Sequence, residues 1–180
     1  MMQPKIQSLD NLVQILEIQR QAGKQLVFTN GCFDLLHVGH IRYLEQARQF
    51  GDVLILGLNS DRSVRSLGKG EGRPIMHEHE RAEVLAALTC IDFVTIFDES
   101  DPLTVIQTLL PNVLVKGGDW SPEQIIGRDV VEARGGSVHS IPLVPHVSTS
   151  QIVERILSLH STSASTRSLS ETPQETPEST

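Results

Sequence analysis

Short apolar segments alternate with amphipathic segments through residues 8–160. The apolar segments fall at 26–29, 53–58, 91–97, 113–115 and 138–143, and polar residues do not alternate within them. Continuous runs of this kind are typical of parallel strands that are covered on both faces. Between them, apolar residues recur at helical spacing, as in the first segment, which Ser8 can cap and Gly23 can end. The alternation predicts an α/β domain in which helices cover both faces of a parallel sheet.

The other helices are predicted at about 39–50, 80–88, 102–110 and 122–133, with a last helix capped by Ser148 or Thr149. We assign residues 1–160 to one domain, because a chain of 180 residues suits one domain rather than two. Residues 161–180 are dominated by Ser, Thr, Glu and Pro, so we expect a disordered tail there.

Composition and charge exclude several classes of protein. Lysine and arginine total 15 while aspartate and glutamate total 22, and the net charge of −7 argues against a nucleic-acid partner. The chain has neither an apolar run of membrane-spanning length nor an amino-terminal secretory pattern, so we expect no membrane partner and a cytoplasmic location. Cys32 and Cys90 are too few for a disulfide framework.

The most informative segment follows the first predicted strand and leads into a helix. There His37-Val38-Gly39-His40 places one imidazole on each side of a glycine, at the start of a helix whose free N–H groups attract anions. Ligands of open parallel sheets bind near this position, beyond the carboxyl ends of the strands. The pattern therefore predicts a phosphate site.

Two other segments fit a phosphate ligand, although each has an ordinary structural alternative. Residues 69–74 form a glycine-rich loop with two cations, which is also how a plain surface loop looks. Residues 147–151 bring hydroxyls to a helix start, where simple N-capping is common. Together with the histidines they predict a nucleoside triphosphate site. Neither a P-loop nor a G-x-G-x-x-G motif is present, and His77-Glu78-His79 fits an exposed helix start better than a metal site.

The sequence G-C-F-D-L-L-H-V-G-H at 31–40 resembles the first motif of the cytidylyltransferase-like nucleotidyltransferases. Residues 59–61, 69–74, 114–120 and 148–150 resemble further motifs in the same order, although Ser150 stands where relatives often have Thr. Within that superfamily the motifs are similar to the D-glycero-β-D-manno-heptose 1-phosphate adenylyltransferase domain of bifunctional ADP-heptose synthases. The resemblance implies a Rossmann-like three-layer α/β/α fold with a parallel five-stranded sheet.

The resemblance also implies roles for individual residues. The catalytic residues would be His37, His40 and Lys69. The nucleotide would contact Gly31, Cys32, Phe33, His37, Gly39, His40, Lys69, Gly117, Gly118, Asp119, Ser148 and Thr149. The acceptor substrate would contact Asp34, Arg73 and Arg81. No protein ligand for a metal is implied, because Mg²⁺ would arrive through the triphosphate.

The implied reaction is adenylyl transfer from ATP to the heptose 1-phosphate, which releases pyrophosphate. ATP would be the co-substrate with Mg²⁺, and a homodimer is common among relatives. Two alternatives stay open at this point. One is a related enzyme, such as a cytidylyltransferase that acts on an alcohol or polyol phosphate, and the other is a module that binds a nucleotide without turning it over.

Overall fold

The computed structural model describes residues 4–68, 70–118 and 120–167. The chain divides into two units, residues 1–145 and 146–180, and each is described by itself. The first unit is built on five parallel strands in the order β3-β2-β1-β4-β5. The strands are β1 (Leu26–Gly31), β2 (Val53–Asn59), β3 (Phe93–Phe97), β4 (Val113–Gly117) and β5 (Ser137–Ile141).

Helices cover both faces of this sheet. They are α1 (Leu9–Gln21), α2 (Val38–Arg48), α3 (Asp61–Ser66), α4 (Glu78–Ala86), α5 (Leu103–Leu109) and α6 (Arg128–Glu132), with a 3₁₀ turn at Pro122–Gln124. One apolar cluster packs α1, α5 and α6 against the sheet, and we name this side the α5 face. A second cluster packs α2 and α4 against the opposite side, the α2 face. The predicted three-layer fold with a parallel five-stranded sheet is therefore confirmed.

Side chains alternate between these faces along the central strands, as the pleat of a strand requires. In β1, Val27 belongs to the cluster of the α2 face and Phe28 to that of the α5 face. In β4, Leu114 belongs to the α5 face and Val115 to the α2 face. The alternation assigns a face to the polar residues at the ends of both strands.

Two elements differ from the sequence predictions. The helix predicted at 122–133 is divided by Gly127, which has a φ of 87°, and a Cβ there would lie 2.6 Å from Ile106 Cδ1. The short helix α3 was not predicted, because its six residues carry too little apolar periodicity. It is instead capped by Ser60, whose hydroxyl accepts a hydrogen bond from the Ser63 amide at 3.1 Å.

The second unit contains α7 (Thr149–Arg167). Its start agrees with the prediction, since the Ser148 hydroxyl accepts a hydrogen bond from the Gln151 amide at 3.2 Å. The helix continues through 161–167, into the segment assigned to a disordered tail, because no glycine or proline interrupts it there. Residues 168–180 lie outside the described part of the chain, so disorder there stays a prediction. None of the described helices is both long enough and apolar enough to cross a membrane.

Candidate nucleotide site

The predicted phosphate segment lies where the strand order reverses. From β1 the chain passes to β2 on one side, and it later returns to place β4 on the other side of β1. The carboxyl ends of β1 and β4 thus border a crevice of the kind that binds ligands in open α/β sheets. The segment between Gly31 and Val38 joins β1 to α2 at this crevice.

His37 and His40 form a stacked pair at the start of α2. Their ring centroids are 3.8 Å apart and their planes differ by 17°. His37 is the N-cap, and its Nδ1 accepts a hydrogen bond from the His40 amide at 3.3 Å. Gly39 makes this fold-back possible, because a Cβ there would lie 3.0 Å from His37 Nδ1. The structure therefore brings together the two histidines and the glycine that the sequence singled out.

The environment of His37 favours a neutral ring with its proton on Nε2. Burial lowers the pKa of His37 below its ordinary value of 6.5. Since Nδ1 accepts the capping hydrogen bond, the remaining proton of the neutral ring belongs on Nε2. His37 can thus donate to a phosphate oxygen, beside the positive end of the helix dipole.

Tyr43 fastens α2 to both strands that border the crevice. Its buried hydroxyl lies 2.5 Å from Thr29 Oγ1 and donates to the Val115 carbonyl at 3.2 Å. Burial raises the pKa of Tyr43 to about 12, so the phenol stays protonated. The ring also needs Gly117, where a Cβ would lie 3.1 Å from Tyr43 Cε2. Packing against Tyr43 therefore favours glycine at position 117, and the nucleotide contact of Gly117 stays a prediction.

The loop after β1 is shaped by an unusual backbone at Phe33. This residue has a φ of 42°, and its ring occupies the space where a Cβ on Gly31 would lie, 2.8 Å from Phe33 Cε2. Phe33 also contacts the His40 ring at a centroid distance of 5.1 Å. Cys32 is buried, with its sulfur 4.0 Å from Asn59 Oδ1. The Phe33 ring thus packs against the histidine pair, whereas the Cys32 side chain is directed to the end of β2.

Asp34 ties the glycine-rich loop to the histidine segment. Its Oδ2 accepts a hydrogen bond from Arg73 at 2.8 Å, and its Oδ1 accepts from the Ile75 and Met76 amides at 2.8 and 3.1 Å. Both side chains of the Asp34–Arg73 pair are largely buried. Their predicted contact with the acceptor substrate stays a prediction, and Lys69 lies outside the described residues.

Arg81 is completely buried and binds four groups of the protein. It donates to the carbonyls of Cys32, Asn59 and Met76 at 2.6, 2.9 and 3.0 Å, and to Asp61 Oδ1 at 2.7 Å. Burial by itself would raise the pKa of Asp61, but hydrogen bonds from Arg81 and His77 outweigh it and lower that pKa. The guanidinium therefore joins α4 to the ends of β1 and β2. Its predicted substrate contact stays a prediction.

The segment after β4 is organised around Trp120. The Trp120 indole donates to the Gly117 carbonyl at 3.2 Å, and Gly118 has a φ of 125°. A Cβ on Gly118 would lie 2.8 Å from the indole nitrogen, so the ring requires glycine at this position. Asp119 lies outside the described residues, and its predicted contact with the nucleotide is not addressed by them.

A cleft of about 260 Å³ opens beside the crevice, and sequence reasoning missed it. The polar residues of its lining include Asn30, Asp101 and Lys116, and Trp120 forms part of its wall. The Lys116 ammonium donates to Asn30 Oδ1 at 3.2 Å. The only available signal was the position of Asn30 and Lys116 at the carboxyl ends of two predicted strands.

The described residues offer no group of metal ligands, and the hydroxyls predicted to bind phosphate lie at the start of α7. Among residues 4–68, 70–118 and 120–167, no three His, Cys, Asp or Glu side chains form a group that could hold a metal ion. His77 is the N-cap of α4, as expected for an exposed helix start. Ser148 and Thr149 begin α7 in the second unit, so their predicted phosphate contacts stay predictions.

Comparisons with known proteins agree on one family. A model of the cytidylyltransferase-like family matches residues 28–155. The bifunctional protein HldE of Geobacter metallireducens is 59% identical over 153 residues, which make up 85% of this chain and 31% of that protein. HldE of Methylobacillus flagellatus is 49% identical over 154 residues, with 86% and 31% covered. The chain thus spans about a third of the length of the curated relatives it matches.

Solved structures show the same fold. A lipopolysaccharide core biosynthesis protein from Thermoplasma volcanium superposes with a TM-score of 0.57 at 24% identity, covering 69% of this chain and 100% of that one. A pantoate-beta-alanine ligase from Francisella tularensis gives 0.55 at 17% identity, covering 76% and 66%. The family match includes most of β1, the whole of β2 to β5 and both histidines, so the chain belongs to the cytidylyltransferase-like family of nucleotidyltransferases.

Proposed function

We propose that this protein transfers the adenylyl group of ATP to D-glycero-β-D-manno-heptose 1-phosphate, giving ADP-heptose and pyrophosphate. The observation that carries the nucleotidyl-transfer chemistry is the stacked His37–His40 pair at the start of α2, where a phosphate chain would meet imidazole donors and a helix N-terminus. The heptose phosphate as acceptor is supported by the high identity to HldE proteins.

The reaction is a single displacement at phosphorus. An oxygen of the sugar phosphate forms a bond to the α-phosphorus of ATP, while the bond from that phosphorus to the α–β bridging oxygen breaks. Pyrophosphate leaves with the electron pair. A phosphate monoester is already anionic near neutral pH, so the reaction needs positioning and charge stabilisation rather than a strong base.

The residues at the crevice fit those two tasks. His37 Nε2 and the His40 ring would donate to the phosphate oxygens on which negative charge develops, and Tyr43 would hold α2 in place against β1 and β4. Lys69 is proposed as a further cation on the grounds of its motif alone. Mg²⁺ would enter with ATP and neutralise part of the triphosphate charge, a mode of binding that does not need a cage of protein ligands.

The proposal is tested by measuring pyrophosphate release in the presence of Mg²⁺. ATP and CTP are each supplied alone, with the heptose 1-phosphate, and with an alcohol or polyol phosphate. Release that requires both ATP and the heptose phosphate is the expected result. Release with CTP and another phosphate would keep the chemistry and overturn the proposed substrates, and binding of ATP without release from any pair would favour a nucleotide-binding module.

Location and assembly are secondary proposals. The free thiols of Cys32 and Cys90 and the use of ATP support a cytoplasmic location. A homodimer stays a prediction, which sedimentation of the full chain at several concentrations tests.

A further inference from the structure

The cleft beside the crevice lies on the other side of the sheet from the histidine pair. His37 and His40 begin α2, whose buried residues belong to the cluster of the α2 face. Asn30 has the same strand parity as Phe28, and Lys116 has the same parity as Leu114, so both side chains point to the α5 face. A ligand in the cleft would therefore approach the carboxyl ends of β1 and β4 from the side opposite the phosphate site proposed at α2.

Glycines end the two strands that separate these sides of the sheet, so no side chain stands between them. Gly31 ends β1 and Gly117 ends β4, and these strands are neighbours in the sheet. Neither position has a side chain, and a Cβ at either one would meet an aromatic ring. Two ligands on opposite faces could thus bring their reacting phosphates together above this edge.

The lining of the cleft suits a small anionic sugar derivative. Its volume of about 260 Å³ lies near the lower end for small-molecule pockets, so a monosaccharide phosphate suits it better than a whole nucleotide. Lys116 supplies a cation and Asn30 an amide. Trp120 is 46% exposed, and its indole donates a hydrogen bond to the Gly117 carbonyl. The indole therefore offers an apolar face to the C–H groups of a sugar ring.

One acidic group of the cleft also has a place in this arrangement. Asp101 lines the cleft and uses Oδ1 to accept a hydrogen bond from the Leu103 amide at 2.9 Å, at the start of α5. A carboxylate fixed in this way can accept hydrogen bonds from sugar hydroxyls. The cleft thus offers a cation, Lys116, for the phosphate and a carboxylate, Asp101, for the hydroxyls of a phosphorylated sugar.

We propose that this cleft binds the acceptor of the transfer reaction. Lys116 and Asn30 would donate hydrogen bonds to its phosphate, and Trp120 would contact its sugar ring. The inference rests on the proposed nucleotidyl transfer and goes beyond it by assigning the residues that set acceptor specificity. These residues differ from Asp34, Arg73 and Arg81, which the motif resemblance indicates.

The test compares Lys116→Met with Lys24→Met in the full chain. Lys24 is an exposed lysine beside the amino ends of the strands, so its replacement controls for the loss of one positive charge. For Lys116→Met we expect the KM for heptose 1-phosphate to rise about 10- to 100-fold, which is the usual effect of losing a charge-assisted hydrogen bond. The KM for ATP should stay within about twofold, and Lys24→Met should change neither value.

Three further measurements keep the outcome clear. Lys116→Arg, which retains the charge, should recover part of the lost affinity, and thermal unfolding followed by circular dichroism checks that each variant folds. Trp120→Ala should raise the KM for the sugar phosphate more than Trp120→Phe does. A higher KM for ATP with an unchanged KM for the sugar phosphate would assign Lys116 to the nucleotide and overturn the inference.

Direct binding separates this inference from the proposed function. Titration calorimetry with heptose 1-phosphate, in the presence of an ATP analogue whose α–β bridge cannot be cleaved, measures acceptor binding without turnover. The calorimetry could show binding that depends on Lys116 while the separate assay with ATP shows no pyrophosphate release. That combination would support the cleft as the acceptor site and overturn the proposed reaction. Acceptor binding that is equal in wild type and Lys116→Met overturns the inference even where transfer is observed.

Discussion

His37 and His40 share one ring stack but have different local tasks. His37 caps α2 through Nδ1, while His40 contributes the amide that the cap satisfies and packs its ring between His37 and Phe33. Replacing His40 therefore removes an imidazole donor while leaving the capping atom of His37 in place.

For His40→Ala we expect turnover to fall about 100-fold, a loss of roughly 2.7 kcal/mol of transition-state stabilisation. His139→Ala is the matched control. His139 stacks on Phe50 beyond the far end of α2, about 16 Å along the helix from the pair. Initial rates of pyrophosphate release measure both variants. Near-normal turnover in a folded His40→Ala protein would remove His40 from the chemistry.

Arg81 gives a prediction about stability. For Arg81→Met we expect the free energy of unfolding to fall by about 3 kcal/mol or more, because three carbonyls and Asp61 lose a buried partner. Arg62→Met removes an exposed ion pair with Asp98 and should cost less than about 1 kcal/mol. Urea unfolding measures both, and equal losses would contradict the buried role.

Single residues were predictable from the sequence where a motif carried them. The H-V-G-H pattern placed His37 and His40 correctly at a helix start after the first strand. The burial of Arg81 was not visible, because an arginine in a helix has no local signal that separates a buried site from an exposed one. Lys116 was missed as a cleft residue for a similar reason, since the cleft forms only when segments that are far apart in the sequence meet.

At the level of elements, the start of α2 links protonation to folding. Burial lowers the pKa of His37, so the unfolded chain binds a proton more readily than the folded protein does. The contribution of His37 to stability is therefore fully present above pH 6.5 and is lost as the pH falls below it, through the lowered pKa of the folded state.

His37→Asn should flatten this dependence. Asparagine is a good N-cap and does not titrate, so the variant keeps the capping acceptor without the proton. We expect the stability of the wild type to fall relative to the variant as the pH is lowered from 7 to 5, because the other histidines are common to both proteins. Denaturant unfolding at each pH measures the difference. Parallel curves would show that His37 does not titrate on unfolding.

Elements with strong periodicity were predicted well, and those set by tertiary contacts were not. The strands and α1 follow from their apolar patterns, with boundary shifts of a few residues. The break at Gly127 depends on the close approach of Ile106, which the local sequence does not reveal. The glycine-rich loop was recognised, but the Asp34 carboxylate that fixes its carboxyl-terminal end was not.

For the whole molecule, the placement of the two ligand sites on opposite sides of the sheet predicts that both substrates are bound at the same time before transfer. If nucleotide and acceptor occupy opposite sides of the β1–β4 edge, both are bound before the bond to phosphorus forms. We therefore expect intersecting lines in double-reciprocal plots when both substrates are varied. Labelled pyrophosphate should not exchange into ATP without the acceptor. Exchange in its absence would indicate a covalent nucleotidyl-enzyme and contradict direct transfer.

The fold class was predictable at this scale, but the neighbours of each strand were not. The alternation of strands and helices implies a parallel sheet, whereas the placement of β4 beside β1 depends on packing across the whole domain. The Rossmann-like arrangement followed from the resemblance to a family. The side of the sheet that each ligand uses could be argued only after the strand order was known.

The packing of Trp120 against Gly118 has a consequence for observing this protein in solution. Trp120 is the only tryptophan of the chain, and it is held in a half-exposed position on the wall of the cleft. Its intrinsic fluorescence therefore arises from one place, and an occupant of the cleft that excludes water from the ring will shift the emission to shorter wavelength. The protein thus carries its own optical reporter of the acceptor side, so occupancy can be followed in real time without a label.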